Sequence, residues 1–184
     1  MKIKLSKRVL LICGVIVILA AISIWLLFKP TYTVDKVLNM RPVWDVADNI
    51  VSSPTDKIFA TSLYNLGYTT FLHGKGPYTV FVPTDKAYRN LPLTTKGLLA
   101  KNENSPYIRQ VLLYHVVKGL YRYSDLRDGM TLKTVEGENL KFTKKGNYWV
   151  INGYSYIQTY DVMSKNGVIH IVTNYLLPPS LVGE

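Results

Sequence analysis

Residues 9–28, VLLICGVIVILAAISIWLLF, run from end to end without a charged side chain. A helix rises about 1.5 Å per residue, so this stretch reaches about 30 Å, the thickness of a bilayer's hydrocarbon core. A helix packed inside a soluble domain normally shows polar positions every turn. The stretch is expected to be a transmembrane helix, and everything that folds must then lie to one side of it. Lys2, Lys4, Lys7 and Arg8 precede it without an acid, while Lys29, Lys36 and Arg41 follow more sparsely. That asymmetry favours an N-terminus inside the cell and the rest of the chain outside the cytoplasm. A cleaved signal peptide is the alternative, with a secreted or periplasmic product. Its best cleavage triplet, Ala21-Ile22-Ser23, is followed by Ile24 to Phe28, which is more membrane than mature N-terminus. Cys13 reads as a small hydrophobe in lipid, because Leu10-Leu11-Ile12 lacks the small residue expected before a lipidated Cys.

The expected organisation is a stub and anchor over 1–28, a tether over 29–41, one domain over 42–180 and a tail over 181–184. Cys13 is the single Cys, so no disulfide framework forms within the chain and no Cys-rich zinc site is available. An apolar content of 48% excludes a disordered protein. Setting aside the four basic residues of 1–28 takes the net charge from +10 to +6. A moderate positive charge suits anionic polymers or head groups at a cell envelope, although a solvated basic surface needs no partner. Nucleic acid is not expected, because an exported domain rarely meets it.

Helical spacing appears first. Val43, Val46, Ala47, Ile50 and Val51 share a face within 43–53, bounded by Pro42 and Pro54. Ile58, Phe59, Leu63 and Leu66 do so within 56–66, stopped by Gly67. Tyr78–Val82 is rich in aromatic and β-branched residues and reads as a strand ended by Pro83, which has no N–H to donate. Thr84 is expected to cap a short helix after it, and a brief helix follows around Leu98-Leu99. In 105–117, Ser105 and Pro106 open a helix whose stripe of Ile108, Val111, Leu112 and His115 faces the core. From Met130 the period becomes two, with strands expected over 130–135, 139–144, 148–151, 155–160 and 167–172. Gly146-Asn147, Asn152-Gly153 and Asn166-Gly167 mark turns between them. Helices first and a meander of strands second give an α+β fold.

Several runs in order then resemble the fasciclin-like domain family. Gly76 through Tyr88, GPYTVFVPTDKAY, is similar to its first signature. Tyr114-His115-Val116-Val117 is similar to its central Tyr-His motif, and Leu132–Leu140 to the strand region that follows. Asn166 through Val172, NGVIHIV, with Leu176-Leu177-Pro178 is similar to its second signature. The resemblance covers about 43–179. Tyr78 and Tyr88 stand where Phe is usual, and Asp85 where Asn is usual. The resemblance implies a wedge of two β-sheets with helices packed at one side. It also implies a non-enzymatic extracellular module used for adhesion and for protein, matrix or envelope contact. Thr79, Pro83, Thr84, Asn166, Gly167 and His170 belong to its signature runs and are expected to be structural.

His73, His115 and His170 are too far apart in sequence for a helix-borne metal pair, so no metal and no cofactor are expected. His73 reads as a solvated loop residue. His115 and His170 read as buried and hydrogen-bonded, His170 on a central strand beside Val168 and Val172. The resemblance ties the Tyr-His neighbourhood to receptor binding. A core His could affect binding only indirectly, which makes Tyr114, one step round the helix, the expected direct contact. No nucleophile elbow, phosphate loop, dinucleotide fingerprint or calcium loop occurs. The 14 Tyr suit interfaces or sugar stacking. Tyr156 is expected on the wet face of its strand. Tyr114, His115 and Tyr156 are thus the candidate partner-binding residues, and a carbohydrate- or anionic-polymer-binding protein is the alternative function.

Overall fold

The computed structural model describes residues 38–100 and 106–182. The expected membrane span lies outside them, as does the tether as far as residue 37. No helix among the described residues is long and apolar enough to cross a membrane. From residue 38 the expected tether is part of the body, because Leu38 and Met40 are buried in its core.

Three helices open the domain: α1 (Val46–Ser52), α2 (Lys57–Asn65) and α3 (Tyr68–Leu72). Asp45 caps α1 by accepting the Asp48 amide at 2.9 Å. Gly67, at φ +73°, provides the left-handed turn that stops α2. Strand β1 (Tyr78–Pro83) follows, then α4 (Asp85–Arg89), α5 (Leu93–Ala100) and α6 (Pro106–Tyr114). Thr84 caps α4 as expected, accepting the Ala87 amide at 3.3 Å. The remainder is mostly sheet: β2 (Val116–Lys118), β3 (Thr131–Lys133), β4 (Asn139–Lys145), β5 (Tyr148–Ile151), β6 (Ser155–Ser164) and β7 (Gly167–Val172), closed by α7 (Pro179–Val182).

The helix expected through residue 117 ends at Tyr114. Val116 and Val117 pair instead with Val80 and Thr79 of β1. Their β-branched side chains suit a pleated strand better than another helical turn.

The two expected sheets are one. Its strand order is β2-β1-β7-β6-β5-β4-β3. The pair β1–β7 is parallel and every other neighbour is antiparallel. Two register shifts in β6 bend the sheet. Its two ends then meet: Val117 bridges to Thr134, and the Val135 amide reaches the Val116 carbonyl at 2.7 Å. The sheet thus wraps into a near-barrel.

Every residue of β1 and of β7 is buried. Val80, Val82, Ile169 and Ile171 face the helices, packed with Ile50, Phe59, Leu63 and Leu112. Phe81 and Val172 face into the wrapped sheet, packed with Leu140, Phe142, Trp149, Ile151 and Ile157. Two apolar cores therefore share one pair of central strands. Gly167 makes their close approach possible, since a Cβ there would sit 2.1 Å from the Tyr78 carbonyl oxygen.

Candidate functional site

His115 lies just past the end of α6 and is wholly buried. Its Nδ1–H donates to the Val111 carbonyl at 2.6 Å, and its Nε2 accepts the Leu176 amide at 2.9 Å. Phe59 and Tyr175 flank the ring at 5.1 and 5.5 Å between centroids. A second proton on Nε2 would face the Leu176 N–H, and burial already disfavours charge. Burial pushes the His115 imidazole down to about 4.

His170 is equally buried and holds the opposite tautomer. Its Nε2–H donates to the Tyr121 carbonyl at 2.9 Å, and its Nδ1 accepts the Asp161 amide at 3.3 Å. It stacks on Phe81 at 5.4 Å. Burial again lowers its pKa. Both buried imidazoles have both nitrogens committed to backbone, so neither is poised to shuttle a proton or meet a partner.

Tyr114, the expected direct contact, is wholly buried as well. Helix α6 is covered on more than one side, with Val111, Leu112 and Tyr114 all buried. The Tyr114 hydroxyl donates to the Asn139 carbonyl at 2.8 Å and accepts from Asn152 Nδ2 at 2.8 Å. It ties the helix to the first residue of β4 and to the turn after β5. Burial raises the phenol to about 12. Of the three candidates, only Tyr156 reaches solvent, at 40% exposure.

The signature residues hold elements together. Thr79 donates to the Gly119 carbonyl at 2.8 Å and accepts the Tyr121 amide at 2.9 Å. Pro83 ends β1 opposite Val172. Asn166, read from sequence as a turn residue, does more. Its Oδ1 accepts the Val46 amide at 2.9 Å, and its Nδ2 donates to the Leu72 and Gly74 carbonyls, both at 2.8 Å. One side chain so joins α1, the end of α3 and the β6–β7 turn.

His73, expected to be a plain solvated loop residue, pairs with Asp45 at 2.7 Å. The hydrogen bond to Asp45 raises the imidazole pKa against a small opposing effect of burial. Burial would raise the Asp45 carboxyl, but the Asp48 amide and His73 together hold it below the usual range. Asp48 brings a third possible ligand atom within 4.8 Å of the other two. The hydrogen bonds already assign the group a role, as a helix cap and an ion pair. It borders a groove of about 490 Å³ lined by Trp44, Ala47, Val51 and Tyr64.

Sequence reading also missed Asp56. It is wholly buried, and its Oδ2 has no hydrogen-bond partner. Burial pushes the carboxyl up to about 6, against the Ser53 and Thr55 hydroxyls and with help from Asp85. Nothing in the pattern Thr55-Asp56-Lys57 distinguishes it from an exposed N-cap.

The Fasciclin domain family model matches residues 55–178. The chain belongs to the fasciclin domain family. Among its relatives, the transforming growth factor-beta-induced protein ig-h3 of Sus scrofa is 27% identical over 81% of this chain and 21% of its own length. The chain thus spans about a fifth of that relative. Protein sll1735 of Synechocystis is 31% identical over 72% of this chain and 97% of its own length. The immunogenic protein MPB70 of Mycobacterium bovis is 31% identical over 57% of this chain and 52% of its own. The solved FAS1 domain pair of the insect cell adhesion molecule fasciclin I superposes with a TM-score of 0.67 at 21% identity. That match covers 76% of this chain and 52% of that one, and it shows a shared fold.

Proposed function

We propose that this fasciclin domain is a non-enzymatic interaction module, held outside the cytoplasm by its N-terminal apolar segment and working through its surface. The observation that carries this reading is the family match over 55–178, essentially the whole described body. Fasciclin domains are modules of adhesion and extracellular contact, as the name of the insect relative records for that protein. The chemistry of the body supports the reading. The Tyr-His pair is spent on packing, with each polar atom of Tyr114 and His115 tied to a neighbour. Its connection to binding is then indirect: loosening it deforms the surface above.

Two experiments test this. Protease added to intact cells expressing the full chain should digest the domain while sparing a cytoplasmic marker; full protection would overturn the topology. Cells displaying the chain should adhere to matrix- or envelope-coated surfaces better than cells displaying a Gly167→Val variant that cannot fold. Equal adhesion would overturn the interaction role.

A further inference from the structure

The strand register places three lysines on one outer face of the wrapped sheet. Lys141 and Lys145 lie on alternate positions of β4, with Thr143 between them, so all three point the same way. Lys133 of β3 sits opposite Asn139, two positions from Lys141 on that face. Tyr148 lies opposite Lys145, and Tyr156 opposite Val150, itself opposite Thr143. The other face of the same strands carries Leu140, Phe142, Trp149 and Ile157, which are buried. The strip is therefore the outside of the near-barrel, with Val150 buried at its middle between Thr143 and Tyr156. All three lysines are exposed, and Tyr148 and Tyr156 are 61% and 40% exposed.

No ion pair engages Lys133, Lys141 or Lys145 among the described residues. The paired positions of the strip hold no carboxylate. The nearest acids in sequence are turned to backbone or hydroxyl partners. Asp128 accepts the Lys144 amide at 2.8 Å, Glu136 the Glu138 amide at 3.0 Å, and Glu138 the Ser180 hydroxyl. None of these carboxylates therefore makes a direct contact with the three ammonium groups.

We propose that this strip binds an anionic polysaccharide, with Lys133, Lys141 and Lys145 meeting its carboxylates or sulfates and Tyr148 and Tyr156 lying against sugar rings. Geometry decides against a small anion. At about 3.4 Å per residue, Lys141 and Lys145 are rooted about 14 Å apart on a face that does not converge. Such spacing neutralises charges repeated along a polymer rather than one group. The flanking tyrosines favour sugar, since an aromatic face with a polar tip suits a ring with one apolar and one hydroxylated side. The proposal rests on the interaction-module reading and names the partner's chemistry.

The test uses the full chain in detergent micelles and immobilised polygalacturonate, heparin and neutral dextran. Binding should occur on at least one of the two acidic polymers and not on dextran, and should weaken at least tenfold between low and physiological salt. The triple variant Lys133→Gln/Lys141→Gln/Lys145→Gln should bind at least tenfold more weakly. A control, Lys57→Gln/Lys86→Gln/Lys165→Gln, loses the same charge elsewhere and should bind within twofold of wild type. Tyr148→Ala/Tyr156→Ala should cost a further three- to tenfold. Equal losses in the triple variant and the control would overturn the proposal by reducing the effect to net charge. Absence of binding to both acidic polymers, or tighter binding to duplex DNA or to phosphatidylglycerol vesicles, would overturn it too. If adhesion to coated surfaces persists while the polymers fail to bind, the strip alone is wrong and the interaction role stands.

Discussion

On the helix side of β1 and β7, buried and half-buried polar side chains reach across element boundaries, mostly to backbone groups. Asn49 takes the Arg41 amide at 2.6 Å and donates to Ser164 at 2.9 Å. Asp85 takes the Ile58 amide at 2.9 Å, His115 the Leu176 amide, and Asn166 spans three segments. Inside the wrapped sheet, strand ladders supply most of the alignment, with Tyr114 joining α6 to β4 and His170 joining β7 to the Tyr121 carbonyl. The contrast follows from where each element spends its backbone hydrogen bonds. A helix satisfies its own and can slide on a sheet, so side-chain links must fix its place. A strand is fixed by its neighbour's register.

The most damaging change should be one that both sides share. Gly167→Ala brings a Cβ against the Tyr78 carbonyl, so it should cost about 4 kcal/mol or more, or prevent folding. Urea unfolding at a wild-type midpoint would mean that β1 and β7 can part without loss. Next comes Asn166→Ala, which strips one acceptor and two donors from the helix side and should cost about 3 kcal/mol. A loss under about 1 kcal/mol would show that the helices are held by apolar packing alone.

Acid sharpens the comparison, because two groups on the helix side pull in opposite directions. The folded His115 pKa of about 4 lies below the unfolded value near 6.5, so stability is lost as pH falls through that window. The folded Asp56 pKa of about 6 lies above its unfolded 3.8, so Asp56 stabilises increasingly as pH falls through its own window. Each is worth about 3 kcal/mol, and wild type should show a shallow profile between pH 4 and 6. Asp56→Asn should raise stability at pH 7 and steepen the acid loss, whereas His115→Gln should reverse the slope. Parallel profiles for wild type and both variants, from denaturant titrations at three pH values, would remove this account.

Inside the sheet, Tyr114→Phe should cost about 1–2 kcal/mol by leaving Asn139 and Asn152 without their shared partner. It should act on the near-barrel without shifting the helices, which amide exchange in α1 and α2 would report. Tyr156→Ala, on the wet face, should change stability by less than about 0.5 kcal/mol.

Much of this architecture was readable from residue order. Alternation marked β4 and β6, because strands that face water on one side carry their direction in every second residue, while the turn pairs Gly146-Asn147, Asn152-Gly153 and Asn166-Gly167 bounded β5 and β7. β2 was hidden because the apolar spacing of α6 runs on through His115 into Val116. Tyr114 was misplaced for a related reason. Helical period gives one covered stripe, while the end of α6 is covered on several sides by the closing sheet. Asp56 and the three-way role of Asn166 depend on what folds back from far along the chain, which local pattern does not hold.

The parallel pairing of β1 with β7 has a consequence for biosynthesis. Translation delivers residue 78 long before residue 167, and β2 can cover only one flank of β1 in the interval. A strand buried on both faces at the end of the process must wait with its second edge and Phe81 uncovered until the later strands emerge. Contacts this remote make assembly slow and leave a nascent chain open to wrong partners. The ribosome-bound intermediate, rather than the finished domain, is then the form most in need of a chaperone.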